Sequence, residues 1–245
     1  MTGSVLDLLA GRYGTGARPR AIPPEADGVV RAMPVVLRIE RDPLPARTPL
    51  LEAAATAAVA VCLDPRALPG GEWHDAVETW IDGRIRKIAR RARGAHWRAV
   101  QELPGVTVGI GGAEVRALLP GPVDDVPRTV SRLQIGGTEL EPDEPGPVPA
   151  GAPRVLLNPH VEMTVGKAAA QVGHASMILG ALRGWPVVDP ADVPRFAVRT
   201  PAVGEWDRLV ADLEAGAPGI AAVRDAGFTE VDPGTVTCLA LPQTA

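Results

Sequence analysis

Between Val165 and Leu182 the chain reads V-G-K-A-A-A-Q-V-G-H-A-S-M-I-L-G-A-L. It follows the apolar run Arg154-Val155-Leu156-Leu157 across a turn at Asn158-Pro159, so the pattern predicts a helix entered from a strand. Lys167, Gln171 and His174 are spaced four and three residues apart, which stacks their side chains on one helical face. Ala168, Ala169, Ala170, Gly173 and Ala175 occupy most of the remaining positions and allow very close packing on a sheet. Taken alone, the segment also reads as an Ala-rich packing helix with its Lys and Gln in solvent and its His satisfied locally.

A second stretch changes the balance. Ile220 to Leu241 reads I-A-A-V-R-D-A-G-F-T-E-V-D-P-G-T-V-T-C-L-A-L, which predicts a strand, an Asp-Ala-Gly turn, a Pro-Gly turn and a final strand carrying Thr235 and Thr237. Together, G-K-A-A-A-Q-V-G-H-A and D-A-G-F-T-E-V-D-P-G-T-V-T resemble the archaeal/eukaryotic-type (type 2) peptidyl-tRNA hydrolase family. The resemblance covers residues 153 to 242.

With 245 residues, 46% of them hydrophobic, the chain has core material for two small domains or one large one. Aromatics are only 3%, so Val, Leu, Ile and Ala must build that core. The twenty-seven Gly and twenty-six Pro lie between apolar segments and form no repeat, which points to linkers rather than bulk disorder. No basic segment followed by an apolar core opens the chain, and no window reaches the roughly eighteen apolar residues of a membrane span. A cytoplasmic protein with no membrane partner is therefore expected. Cys62 and Cys238 sit in apolar patterns and are expected as buried thiols, not a disulfide. His74, His96, His160 and His174 are too scattered for a metal site, and neither a metal nor a cofactor is expected.

Taken in order, residues 1–32 hold one short apolar patch, Val5 to Ala10, then a basic Gly-rich run, and are expected to form a mobile arm. Met33 to Glu40 predicts a strand and Pro49 to Leu63 a helix, repeating the order found at 154–182. An offset of 115 sets Leu51-Glu52-Ala53-Ala54-Ala55-Thr56 against Gly166-Lys167-Ala168-Ala169-Ala170-Gln171, and Val108 to Gly112 against Val223 to Gly227. We read an internal duplication with insertions: a degenerate copy at 33–138, a Pro-rich acidic linker at 139–153, and a site-bearing copy at 154–245. Chance similarity between Ala-rich helices is the competing reading. Under the offset, Lys167 corresponds to Glu52, His174 to Val59, Asp225 to Ile110 and Thr229 to Glu114, so the first copy loses the chemistry. The expected fold is α/β, a small mixed sheet flanked by helices on both faces, present twice as a tandem pseudo-dimer. Further oligomerisation is left open.

Arg84 to Arg98 carries seven Lys and Arg in fifteen residues, although the chain's formal charge is −4. Its start should be a strand. Either these side chains protect a solvated edge, or Arg84, Arg86, Lys87, Arg90 and Arg91 form a phosphate-contacting patch for tRNA, since Lys and Arg supply sequence-independent affinity for nucleic acid.

The resemblance implies hydrolysis of the ester joining a peptide to the terminal ribose of tRNA, without a cofactor. Such a reaction needs a positioned water, a proton acceptor and donors for the developing oxyanion. Asp225, at a strand end, takes the water-orienting or base role. Lys167 stabilises the oxyanion or holds the terminal phosphate. Thr229, Thr235 and Thr237 offer hydroxyls, Gln171 orients, and His174 relays a proton, anchors Asp225 or lies one layer behind. Phe228 and Glu230 depart from the family pattern, where a basic residue and an amide are usual, and make the site less welcoming to phosphate. A non-catalytic RNA- or protein-binding relative and a hydrolase for another acyl ester are the rival expectations.

Overall fold

The computed structural model describes residues 4–13, 25, 27–136, 139–225, 227 and 230–242. In chain order they form α1 (Asp7–Tyr13), β1 (Arg31–Arg38), α2 (Arg47–Leu63), α3 (His74–Asp82), β2 (Lys87–Ala92), α4 (Gly94–Val100), β3 (Gly105–Ile110), β4 (Ala113–Leu118), the short β5 (Gly121–Pro122), α5 (Arg128–Ser131), β6 (Arg154–Leu157), α6 (Val165–Leu182), β7 (Ala197–Arg199), α7 (Val203–Glu214), β8 (Ala221–Arg224) and β9 (Val236–Leu241). No described helix is long and apolar enough to cross a membrane.

Two sheets share one plan. The first has strand order β2-β1-β4-β3, with β5 beside β1, and the second has β7-β6-β9-β8. In each, the first strand pairs parallel with the second and antiparallel with the hairpin that closes the unit. Both sheets are covered on two faces. Trp97, Val100, Val130 and Leu133 cover one side of the first sheet, and Trp206 and Leu213 one side of the second. The opposite faces meet in a common core that takes side chains from both units.

At the centre of that core α2 and α6 lie against each other. From Leu50 to Leu63 every α2 residue except Glu52 is buried, the signature of a helix enclosed all round. Small side chains make the approach possible. A Cβ on Gly173 would lie 3.0 Å from the Ala58 Cβ. Ala58 and Gly173 are themselves 115 residues apart. Each helix also reaches the edge strand of the other sheet, α6 against β2 and α2 against β7.

The apolar patch expected in a mobile arm is docked instead. Leu6 and Leu9 are fully buried and α1 packs on α6, because the patch places its leucines three residues apart on one face. Most of the basic run that follows falls outside the described residues.

Candidate active site

The hairpins that close the two units differ in the length of their connections, and the longer one carries Asp225. In the first unit β3 turns into β4 through Gly111-Gly112 with φ of 54° and 82°, a two-residue turn of the kind that suits the twist of a hairpin. In the second, residues 225–235 separate β8 from β9. The expected equivalence of Thr229 with Glu114 is corrected by this insertion. Strand register pairs Val108 with Val115 and Val223 with Cys238, so the residue matching Glu114 is Thr237. Thr229 itself lies outside the described residues, as does Phe228.

Asp225 opens the long connection. Its backbone N–H donates to the Thr235 carbonyl at 2.9 Å, its carbonyl accepts from Gly234 N at 2.7 Å, and its Oδ1 accepts from Gly227 N at 2.7 Å. Gly227 adopts φ 77°, and a Cβ there would lie 2.3 Å from Pro233 Cγ, so only glycine fits. The turn aims the other carboxylate oxygen, Oδ2, at α6. There it accepts from the Lys167 ammonium in an ion pair and from Gln171 Nε2 at 2.8 Å. Gln171 Oε1 in turn accepts from the Thr237 hydroxyl at 2.7 Å. Thr237, Gln171 and Asp225 are 0%, 4% and 7% exposed, so this chain of bonds runs through low-dielectric surroundings, where each link is stronger and each orphaned partner costs more.

The turn of α6 carrying Lys167 is fixed by contacts that the sequence pattern does not assign. Thr164 caps the helix, its Oγ1 accepting from Lys167 N at 3.2 Å. Glu230 closes on Thr164, accepting from its backbone N at 3.0 Å and from its hydroxyl at 2.7 Å. Asn158 ties the end of β6 to the start of β9 through Nδ2 and the Val236 carbonyl at 2.7 Å. A Thr three residues ahead of Lys167 is a capping signal in the sequence. The Glu230 contact has no local signal, since it spans 66 residues.

The other expected site residues divide. Thr235 contributes its carbonyl to the Asp225 turn. His174 stays on the Lys167–Gln171 stripe but bonds Lys87 of the first unit at 3.1 Å instead of Asp225. Burial, then the charges of Lys87 and Lys167, lower its pKa well below the usual value of 6.5. Lys87, one of the cations that either protect a sheet edge or form a phosphate patch, points inward by strand alternation: Lys87, Ala89 and Arg91 face α6, with the Lys87 stem against Gly173 and Ala89 against Gly166. Arg86 pairs with Glu25. Arg90 donates to the Ser131 and Leu133 carbonyls at 3.2 and 2.9 Å, and Arg91 Nε to Gln134 Oε1 at 2.8 Å. Arg90 and Arg91 nonetheless line one groove with Thr164, Val165 and Gly166, beside Lys167.

Residues 154–244 match the peptidyl-tRNA hydrolase PTH2 family. The PTH2 match spans the second unit, from the first residue of β6 through β9 and the whole Lys167–Gln171–Asp225–Thr237 network. No curated protein matches the chain. In the first unit the positions equivalent to the PTH2 stripe serve assembly: Glu52 Oε1 accepts from Arg199 Nη1 at 2.8 Å and Val198 N at 3.2 Å, and Thr56 Oγ1 accepts from Phe196 N at 3.4 Å. Both Cys thiols are free and buried, and burial pushes Cys62 up to about 12.

Proposed function

We propose that the second unit hydrolyses the ester of peptidyl-tRNA and that the first is a duplicated, non-catalytic copy that completes the core and one wall of the site. The observation that carries this reading is the Asp225 carboxylate, which is held by Lys167, Gln171 and the Gly227 N–H inside a span matching PTH2. A carboxylate has about four acceptor positions, so Oδ1, which among the described residues accepts from Gly227 N, retains room for a water.

In the reaction, Asp225 takes a proton from that water as its oxygen attacks the ester carbonyl. The Lys167 ammonium faces the negative charge that develops on the carbonyl oxygen. Collapse of the tetrahedral species expels the ribose oxygen, which takes the proton back from Asp225, and leaves free tRNA and a peptide carboxylic acid that ionises in solvent. Gln171 and Thr237 keep the carboxylate oriented. The groove lined by Arg90, Arg91, Glu139 and the N-terminus of α6 sets two cations against one acid and offers backbone N–H groups for phosphates near the terminal nucleotide.

Glu230 favours a second reading. Its carboxylate occupies the cap of α6, the position most suited to an anion, and this favours a less anionic acyl ester. The two readings part when purified protein is offered N-acetyl-aminoacyl-tRNA and an N-acetyl-amino acid ethyl ester. Turnover of the tRNA ester at least a hundredfold faster supports the proposal; equal turnover transfers the activity to simple esters.

A further inference from the structure

One inward-pointing lysine belongs to neither the hydrolytic network nor the arginine-lined groove. Lys87 leaves β2 toward α6, its Cδ and Cε lying where a side chain on residue 173 would stand, 3.1 Å from an ideal Cβ. Gly173 therefore makes the channel through which the lysine reaches the second unit. Nζ sits 5.1 Å from the centre of the Trp80 ring, a cation–π distance, and Trp80 is itself pinned by its Nε1–H to the Arg86 carbonyl at 3.1 Å. The destination is His174 Nδ1, 3.1 Å away. Cys62 of α2 and Lys167 of α6 are the other titratable groups acting on this pair, and neither supplies an acid to neutralise the lysine.

An ammonium only donates, so a histidine nitrogen facing it must accept. Neutral imidazole then carries its one proton on the opposite nitrogen. We propose that Lys87, a residue of the first unit, is a positioning residue for His174 of the second: by donating to Nδ1 it fixes the Nε2–H tautomer, so that His174 presents a hydrogen-bond donor to substrate lying along the Lys167–Gln171–His174 stripe. Nε2 has no protein partner among the described residues, and His174 keeps partial exposure. The lowered proton affinity of His174 agrees with a neutral ring at pH 6, where Lys87, lowered to about 7, is still mainly an ammonium. The role in substrate binding rests on the hydrolase reading; the tautomer does not.

The test is ¹⁵N NMR of histidine-labelled full-length protein, with His174 assigned by its substitution. The parent protein at pH 6 to 7 shows a neutral ring with Nε2 protonated. Lys87→Met yields a mixture of tautomers and a His174 that titrates at higher pH, whereas Lys87→Gln, which keeps an N–H donor, restores the single tautomer. With N-acetyl-aminoacyl-tRNA, Lys87→Met lowers kcat by about five- to tenfold, the equivalent of one hydrogen bond, and Lys87→Gln recovers most of it. A parent spectrum with the proton on Nδ1, or an imidazolium at pH 6, overturns the proposal even if no variant folds. An unchanged His174 spectrum in Lys87→Met overturns it as well. Absence of turnover in the parent protein refutes the hydrolase reading and leaves the tautomer result standing.

Discussion

Replacing Thr237 by valine keeps the shape of a fully buried side chain and removes one hydroxyl. That hydroxyl is the donor to Gln171 Oε1 at 2.7 Å, and no water can take its place where Thr237 has no exposure and Gln171 only 4%. A buried acceptor left without its donor costs about 1–3 kcal/mol. For a chain of this size each kcal/mol moves the melting temperature by roughly 2–4 °C, so Thr237→Val should melt about 2–12 °C below the parent. The functional effect follows from the same bond. With the hydroxyl gone, the Gln171 amide loses the contact that sets which of its ends faces Asp225, and in the flipped state its oxygen meets the carboxylate. Loss of one charge-assisted bond in the productive state corresponds to a fall on the order of tenfold in kcat. Thr237→Ser, which retains the donor, should fall well short of both effects. Calorimetry and hydrolysis of N-acetyl-aminoacyl-tRNA read the two together. A Thr237→Val protein that melts within 1 °C of the parent and turns over at its rate would refute the network as drawn.

Three further outcomes follow from packing and charge. Leu9→Ala empties a fully buried position in α1 and should cost about 2–5 kcal/mol in urea unfolding; no change in midpoint would mean that α1 does not dock. Gly173→Val places methyl groups against Ala58 and the Lys87 stem and should destabilise by at least about 1–3 kcal/mol. Gly204→Ala, on a helix where an added Cβ meets nothing within 4 Å, should instead gain up to about 1 kcal/mol, and equal signs for the two would contradict the helix crossing. Finally, burial lowers Lys87 to about 7 in the folded protein, against about 10.4 in an unfolded chain. Between those values the unfolded state binds the extra proton, so stability rises with pH, by at most about 1.4 kcal/mol per unit, and less because Lys87 keeps some solvent contact. Lys87→Met should flatten the stability profile from pH 7 to 10; a parent profile already flat there would place the lysine in water.

Much of this architecture is legible in the sequence because it rests on local periodicity. The helix expected from Val165 to Leu182 is α6 to the residue, and the helix expected from Pro49 begins two residues earlier. The Lys167–Gln171 face and the Asp225 turn are local patterns too, and they meet because a strand order common to both units brings β8 alongside α6. The misreadings involve distance along the chain. A constant offset cannot represent an insertion inside a hairpin, so Thr229 was set against Glu114 when strand register matches that residue to Thr237. A run of seven cations reads as surface, yet alternation along β2 turns Lys87 inward to His174, 87 residues away. The Glu230 clasp on Thr164 spans 66 residues and depends on the very fold that it helps to hold.

Turnover of N-acetyl-aminoacyl-tRNA by the parent protein, with Asp225→Ala and Lys167→Ala measured beside it as folded proteins, tests the central claim most directly. The account predicts release of free tRNA by the parent and a loss of at least about a hundredfold in each variant, as expected when a base or an oxyanion partner is removed. A folded parent protein that releases no tRNA, or variants that keep its rate, would contradict it.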